Sequence, residues 1–381
     1  MPGFNQREYQ TVILGALLHD IGKFLNRAEH VWKKHPYLSE QYLCELEQRN
    51  ILNPAWCDIN LIKTLCRCHH ENQRYTPEDL LVQNINDEHV RALAYLVSRA
   101  DNYSSMERAE EDQAEEDFRT ARLMTIFSQI NIGRGESTDK YYDLKPLTPE
   151  GIFPSNKEDL LEGEYDYFKQ AKAFGEAIKN FHPNNFTSFF NGLLSLMGQY
   201  LWCVPSDTTR QYSDISLFDH LSTTSALAAC LYRYHEPSFA EVKIKDDKIP
   251  KFRLLGGDLS GIQSYIFEIH ENNPRRLSKT LRGRSFALGI FTDAITLKYL
   301  EALNLPISCR VVNAGGRFVL LLPNREEINK IVSDETVKIE KWFFEKFLGK
   351  ITLQVDYSLI LSGKDFEPPQ LGKKLHQLSK N

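Results

Sequence analysis

Leu14-Gly15-Ala16-Leu17-Leu18-His19-Asp20-Ile21-Gly22-Lys23-Phe24 decides how the rest of the chain is read. An apolar helical run delivers an adjacent His-Asp pair and then a glycine. Neutral imidazole beside a carboxylate is a donor set for a divalent cation of the transition series. Neighbours on a helix point about 100° apart, so His19 and Asp20 alone cannot surround an ion. Further ligands have to come from elsewhere in the sequence.

Two other stretches supply them. Cys66-Arg67-Cys68-His69-His70-Glu71 closes an apolar helical stretch over 59–65, and Asp101 ends the run Leu93-Ala94-Tyr95-Leu96-Val97-Ser98-Arg99-Ala100. A buried helix does not tolerate an unpaired carboxylate. His19, Asp20, one or both of His69 and His70, and Asp101 therefore form a set that can bind one or two metals. Lys23 lies one turn after His19 on the same face, where it can hold a phosphate or protonate a leaving oxygen, so His19, Asp20 and Lys23 are the catalytic candidates. Two metals in such a site activate water and neutralise a phosphodiester. Taken singly, a His-Asp pair is a surface pair or cap, and His69-His70 a solvated helix end. Four such residues in apolar helices of one segment favour the site. His35 is a second-rank candidate. Cys66-x-Cys68 lacks the second cysteine pair of a structural zinc site, which leaves its thiols as small helix residues.

The length of 381 residues suggests two or three domains, and 42% apolar content supports sizeable cores. A net charge of −5 carries no global signature of nucleic-acid binding, so any such surface is local. Seven cysteines show no disulfide rhythm, nothing reads as a signal peptide, and no apolar run can span a bilayer. A reducing cytoplasm is the expected location.

Periodicity predicts helices over 12–25, 39–48, 58–68 and 89–98, with Pro36 and Pro54 between them, hence an all-helical domain over 1–125. Residues 107–117 are strongly acidic, a solvated face that repels nucleic acid. Residues 126–160 read as an inter-domain connection. A second domain is expected over 161–381, opening with helices at 165–181, 186–200 and 219–234. Then follow a strand (251–258) entering a tight turn, a helix starting at 261, a helix (286–303), strands at 307–312 and 317–322 around Asn313-Ala314-Gly315-Gly316, a helix (326–347) and a strand (351–360). Strand, helix, strand, strand, helix, strand is the ferredoxin-like order, and the fold class is α+β.

The second half offers a phosphate site of its own. Gly256-Gly257-Asp258-Leu259-Ser260-Gly261 reads as a glycine-rich turn whose amides can receive phosphates, with Gly257, Asp258, Ser260 and Gly261 as candidates. Residues 275–284 hold five basic side chains, among them Arg282 and Arg284, able to meet a phosphate backbone or a nucleotide triphosphate. A solvated loop accounts for the same charges.

His-Asp-x-x-Lys, His-His and Ala-Asp in the first third, then Asp214-Ile215-Ser216-Leu217-Phe218-Asp219-His220, the Gly256–Phe267 motif and Leu281-Arg282-Gly283-Arg284-Ser285 together resemble a known family. It is the large, polymerase-like subunit of type III CRISPR effector complexes, of the Csm type, and the likeness is to its N-terminal half. The resemblance implies an HD domain followed by a first Palm domain of ferredoxin-like fold. It implies a metal-dependent nuclease for single-stranded DNA, unleashed when the guide RNA complex captures a target RNA, with the other complex subunits as partners. Manganese is the expected metal, with nickel or cobalt as alternatives, and His19, Asp20, His69, His70 and Asp101 match the family's ligands. ATP would bind at the Palm only together with a second Palm. Here the sequence departs from the family: Leu259, not a second Asp, follows Gly256-Gly257-Asp258, the 313–318 hairpin has no carboxylate, and no cysteine knuckle is present. The chain is expected to be truncated or one half of a split subunit, and not to make cyclic oligoadenylates alone. A non-catalytic scaffold for subunits and RNA, and an HD phosphohydrolase of free nucleotides, are the competing readings.

Overall fold

The computed structural model describes residues 4–29, 33–72, 74, 76–106, 118–130, 133, 139–160, 165–209, 212–268 and 277–378. The acidic run 107–117 and Arg275 and Arg276 lie outside the described residues. The chain forms two compact units, residues 1–228 with 237–245, and residues 229–236 with 246–381.

The first unit is helical: α1 (Gln6–Leu18), α2 (Ile21–Glu29), α3 (His35–Gln48), α4 (Ile59–Arg67), α5 (Glu88–Ser105), α6 (Tyr165–Lys179), α7 (Phe186–Leu201), most of α8 (Leu217–His235) and α9 (Glu241–Lys245). Asn5, Asp58, Asp87 and Asn185 start α1, α4, α5 and α7, each side chain accepting the amide three residues on. From Val12 to Leu18 every residue of α1 is buried, which makes it the central helix of the unit. Gly15 lets α4 close on it, since a Cβ there would sit 3.0 Å from Leu65 Cδ1.

The expected helix over 12–25 breaks at His19-Asp20, because Ser39 of α3 takes over its hydrogen bonds. Ser39 Oγ donates to His19 O (2.7 Å) and accepts from Gly22 N (2.9 Å), replacing bonds that a continuous helix would make to residues four apart. Gly22 is required at this contact, as a Cβ there would meet His35 O at 2.0 Å. Pro36 stands in the first turn of α3 rather than between helices, where its missing N–H costs nothing.

The boundaries expected at 125 and 160 fall elsewhere. Phe24 of α2 packs on Tyr167 and Phe174 of α6 (centroids 6.5 and 6.2 Å), and Arg27 Nη1 donates to Pro205 O (2.7 Å, buried), so α6, α7 and the start of α8 complete the first core. The stretch read as a connection is fastened to the same unit. Leu147 N donates to Gln199 O (2.8 Å) and Trp202 Nε1 to Lys145 O (2.9 Å).

The second unit is built on an antiparallel sheet of β1 (Phe252–Ser260), β2 (Arg310–Ala314), β3 (Arg317–Pro323), β4 (Thr352–Asp356) and β5 (Ile360–Leu361), with α10 (Ile262–Phe267), α11 (Leu277–Leu303), α12 (Glu326–Phe347) and α13 (Gln370–Leu378). The order β2-β3-β1-β4 places β3 between β1 and β2, the ferredoxin-like arrangement read from the sequence, and β5 extends the pairing along β1. Two glycines expected in a turn are inside β1. Gly257 lies opposite Phe318 in the register, and a Cβ there would be 2.0 Å from Phe318 Cζ, so the glycine makes room for a fully buried ring. Only Gly261 turns the chain, with φ +85°, against Lys350 O.

Candidate metal centre

The break after α1 turns His19 and Asp20 inward together. His19, Asp20 and His69 are buried, at 0, 2 and 1% exposure. Asp101 comes from the C-terminal part of α5, and His69 follows the end of α4. Of the predicted ligands, none is stranded: His19 Nε2 lies 3.5 Å from Asp101 Oδ1 and 3.6 Å from Asp20 Oδ2, and His69 Nε2 lies 3.5 Å from Asp20 Oδ1. Lys23 Nζ sits 2.5 Å from Asp20 Oδ2.

Two more histidines join them. His220, from the first turn of α8, places Nε2 3.2 Å from Asp101 Oδ1 and 3.4 Å from Asp20 Oδ2. His35, at the start of α3, reaches Asp20 Oδ1 at 2.9 Å and His70 Nε2 at 3.2 Å. The donors fall into two groups, His19-Asp20-Asp101-His220 and His35-His69-His70, each with its ligand atoms within 4.8 Å of one another. Sequence reasoning held His35 in second rank and quoted Asp219-His220 without seeing a ligand. Its signal was present, a His one turn into an apolar helix after an Asp.

Tautomers follow from the partners of Nδ1. His19 Nδ1 donates to Ala16 O (2.8 Å) and His69 Nδ1 to Cys66 O (2.9 Å), because a carbonyl only accepts. At His220 the partner is Ser104 Oγ (2.9 Å), a hydroxyl that donates to Asp101 O (3.1 Å) and therefore accepts from the ring. Each Nε2 thus turns toward a carboxylate oxygen. The Nε2 atoms of His19 and His69 are buried with no hydrogen-bond partner. Facing acceptors at 3.2–3.6 Å require positive charge between them, and imidazole with carboxylate is the donor chemistry of a divalent transition ion. The residues fit such a metal.

The electrostatics agree. Burial acts to raise the Asp20 carboxyl, but Lys23, His19 and His35 outweigh it and hold it well below the usual carboxylate range. Asp101 stays ionised in the same way, with His19 and His220 outweighing burial. Burial lowers His35 to about 4 and His70 to about 2, keeping both imidazoles neutral as ligands require. The neighbouring thiols take no part: burial pushes Cys66 up and Cys68 up to about 11, and no cysteine joins a metal-type cluster among the described residues.

The phosphate candidates of the second unit do not assemble. Gly257, Asp258 and Ser260 lie along β1, and only Gly261 sits at a turn. Arg282 and Arg284 are on α11, which begins nine residues earlier than the sequence suggested. Arg284 Nη1 donates to the carbonyls of Tyr265 and Glu268, both at 2.7 Å, so it closes the end of α10. Arg282 Nη2 donates to Ser278 Oγ one turn back (2.9 Å), and Asp258 faces Arg317 across the strands at 3.6 Å.

Comparison with known proteins matches residues 4–106 to the HD domain and residues 251–381 to Csm1 subunit domain B. A single-strand-specific deoxyribonuclease Cas10/Csm1 (subtype III-A) of Methanocaldococcus jannaschii is 30% identical over 92% of the chain and 45% of its own length. Its namesake from Thermococcus onnurineus is 27% identical over 93% of the chain and 43% of its own length. Among solved structures, Csm1 in a Csm1-Csm4 cassette in complex with AMPPNP superposes with a TM-score of 0.73 at 25% identity, over 98% of this chain and 48% of that one. The fold and the ligand cluster define the class, an HD domain followed by a Csm1 domain B. The chain is similar to Csm1 proteins over nearly its whole length and spans about half the length of the relatives it matches.

Proposed function

We propose that the first unit is a metal-dependent phosphodiesterase that cuts single-stranded DNA, in a type III CRISPR effector complex of the cytoplasm. The observation that carries this reading is the position of Asp20. One of its oxygens faces His19 and His220, and the other faces His35 and His69. A single carboxylate is thereby common to two groups of nitrogen ligands. His19, Asp101 and His220 would complete one cation's donors, and His35, His69 and His70 the other's. Divalent ions there, manganese first and nickel or cobalt as alternatives, supply charge neutralisation at the phosphodiester and acidify water.

The chain's own residues do the positioning. Ala16 O, Cys66 O and Ser104 Oγ fix the tautomers of His19, His69 and His220, which keeps every Nε2 directed inward. Lys23, a quarter exposed, brings its ammonium to the edge of the cluster, where it can pair with a phosphate oxygen and supply a proton to the departing one. The names of the two relatives support a single-stranded DNA substrate. The remaining parts of the reading are assembly with Csm4, the other subunits and the guide and target RNAs, and ATP binding by the sheet unit only beside a second Palm.

The test is cleavage of a labelled single strand by the purified chain with manganese, nickel, cobalt, magnesium or chelator, next to the H19A/D20A double mutant. Metal-dependent cutting that the mutant loses is expected. Equal cutting by the mutant overturns the assignment.

A further inference from the structure

Glu71 follows His69 and His70 in the chain, and its carboxylate is bonded to α5. Its Oε1 accepts from Ser98 Oγ (2.7 Å) and Arg99 Nε (2.9 Å), with Asn102 Nδ2 at 3.5 Å, and its Oε2 pairs with Arg99 Nη2. Two parallel N–H bonds into one carboxylate fix direction as well as distance, because the guanidinium is a planar fork. The Glu71 and Arg99 side chains are 24 and 16% exposed, so salt screens this pair less than an open surface pair. Asp101 stands between Arg99 and Asn102 on the same helix. One carboxylate outside the cluster thus joins the segment that carries two donors to the helix that carries a third.

The donors differ in how they are aimed. His19 and His69 have Nδ1 held by carbonyls three residues back, and His220 by Ser104 Oγ. Among the described residues no carbonyl, carboxylate or hydroxyl bonds the His70 ring, whose Nε2 meets His35 Nε2 at 3.2 Å. Its direction comes from the backbone instead: Val82 N donates to His70 O (3.0 Å), and the next residue is Glu71, bound to α5. We propose that Glu71 is the positioning residue of the His35-His69-His70 group, holding His70 in reach of that group's cation through its paired hydrogen bonds to Arg99. The His19-Asp20-Asp101-His220 group does not depend on it, since α5 is set by its own buried stretch from Ala92 to Ser98 and the rings of His19 and His220 have their own partners. Loss of Glu71 therefore acts on one cation of two, whereas a carboxylate that merely stabilised the fold would loosen both groups alike. This deepens the two-metal reading above and is independent of the substrate.

The test is manganese titration of the metal-stripped chain, followed by calorimetry and by the paramagnetic resonance of free Mn2+, for wild type, E71A, E71Q, R99A and E71A/R99A. H220A serves as the variant that removes a donor of the other group. E71A is expected to weaken one of the two binding steps about 10- to 100-fold, the usual effect of losing an outer partner of a ligand, and to leave the other unchanged. E71Q keeps Oε1 for Ser98 and Arg99 Nε but sets an amide against Arg99 Nη2, so it should fall between wild type and E71A. The double variant should lose no more than the larger single one, because the two side chains form one contact. Native affinity at both steps in E71A, equal weakening of both, or additive losses in E71A/R99A overturns the assignment. If the wild type takes a single ion, weakening by E71A and not by H220A supports it, and any other pattern overturns it. A wild type that binds no manganese overturns the metal reading and this assignment with it. Binding as expected without cutting of DNA fails the nuclease reading alone.

Discussion

Ser39→Ala removes one oxygen and tests how the cluster is positioned. In the native chain this hydroxyl donates to His19 O at 2.7 Å and accepts from Gly22 N at 2.9 Å, with all three residues buried. Alanine leaves a carbonyl and an amide without partners in the core. Each such group costs roughly 1–3 kcal/mol, and partial hydration of the small void puts the pair at about 2–4 kcal/mol. That is a roughly 30- to 700-fold rise in the constant for local opening of the α1–α2 break. Amide exchange followed by mass spectrometry on peptides covering 19–23 reads it directly, and manganese titration reads its effect on the ligands. The variant should exchange faster there and bind metal about 10- to 100-fold more weakly, the usual effect of losing an outer partner of a ligand. Native exchange at 19–23 together with native metal affinity would refute the claim that Ser39 sets the break.

Other variants address separate links. Asp20→Asn takes away the oxygen pair shared by the two histidine groups, so metal content after dialysis should fall by more than one ion's share and DNA cutting should drop to background; retention of full metal content contradicts the sharing. His220→Ala, a residue that the first third of the sequence does not reveal, should abolish cutting as fully as His19→Ala does, measured in the same gel assay. In the sheet unit, Gly257→Ala forces a methyl into the Phe318 ring and should destabilise that unit by about 1–3 kcal/mol in urea, with Phe318→Leu in the same chain recovering part of the loss. Thiol chemistry gives a fifth check. Burial lifts Cys57 and Cys68 to about 11 and Cys203 to about 12, so at pH 8 their thiolate fractions are about 0.1% or less, and rates rise with pH toward those values. Native-state alkylation at pH 8 should therefore mark half-buried Cys44 first, as peptide mapping will show.

Local patterns carried the helices and the strand order, since both follow from where apolar residues recur. The α12 prediction of 326–347 matches its observed span. What escaped was tertiary in origin. No periodicity separates 12–18 from 21–25, because residues on both sides are apolar, and the interruption comes from a serine seventeen positions beyond Gly22. Gly256-Gly257 reads as a turn by composition, yet the glycines answer to a phenylalanine on the adjacent strand. The helices at 165–235 were given to the second domain by their place in the chain, whereas the Phe24–Tyr167 and Phe24–Phe174 contacts join α6 to the first. Of the cluster's candidate donors, His19, Asp20, His69, His70 and Asp101 were visible as polar residues in or at the end of apolar helical stretches. His220 stands one turn into an apolar helix too, but far along the sequence, where proximity to the others is a property of the fold alone.

That distance gives the cluster a second meaning. Its donors come from the α1–α2 junction, α3, the end of α4, α5 and α8, which is to say from nearly the whole length of the first unit. Ligation free energy is folding free energy when no preformed site exists in the unfolded chain. During synthesis, a growing polypeptide that has reached Asp101 carries the whole His35-His69-His70 group, but the His19-Asp20-Asp101-His220 group closes only after residue 220 has emerged. The centre is in this sense a clasp whose second half fastens last, and retention by the group that includes His220, not by the other alone, would report that the unit has been completed rather than merely begun.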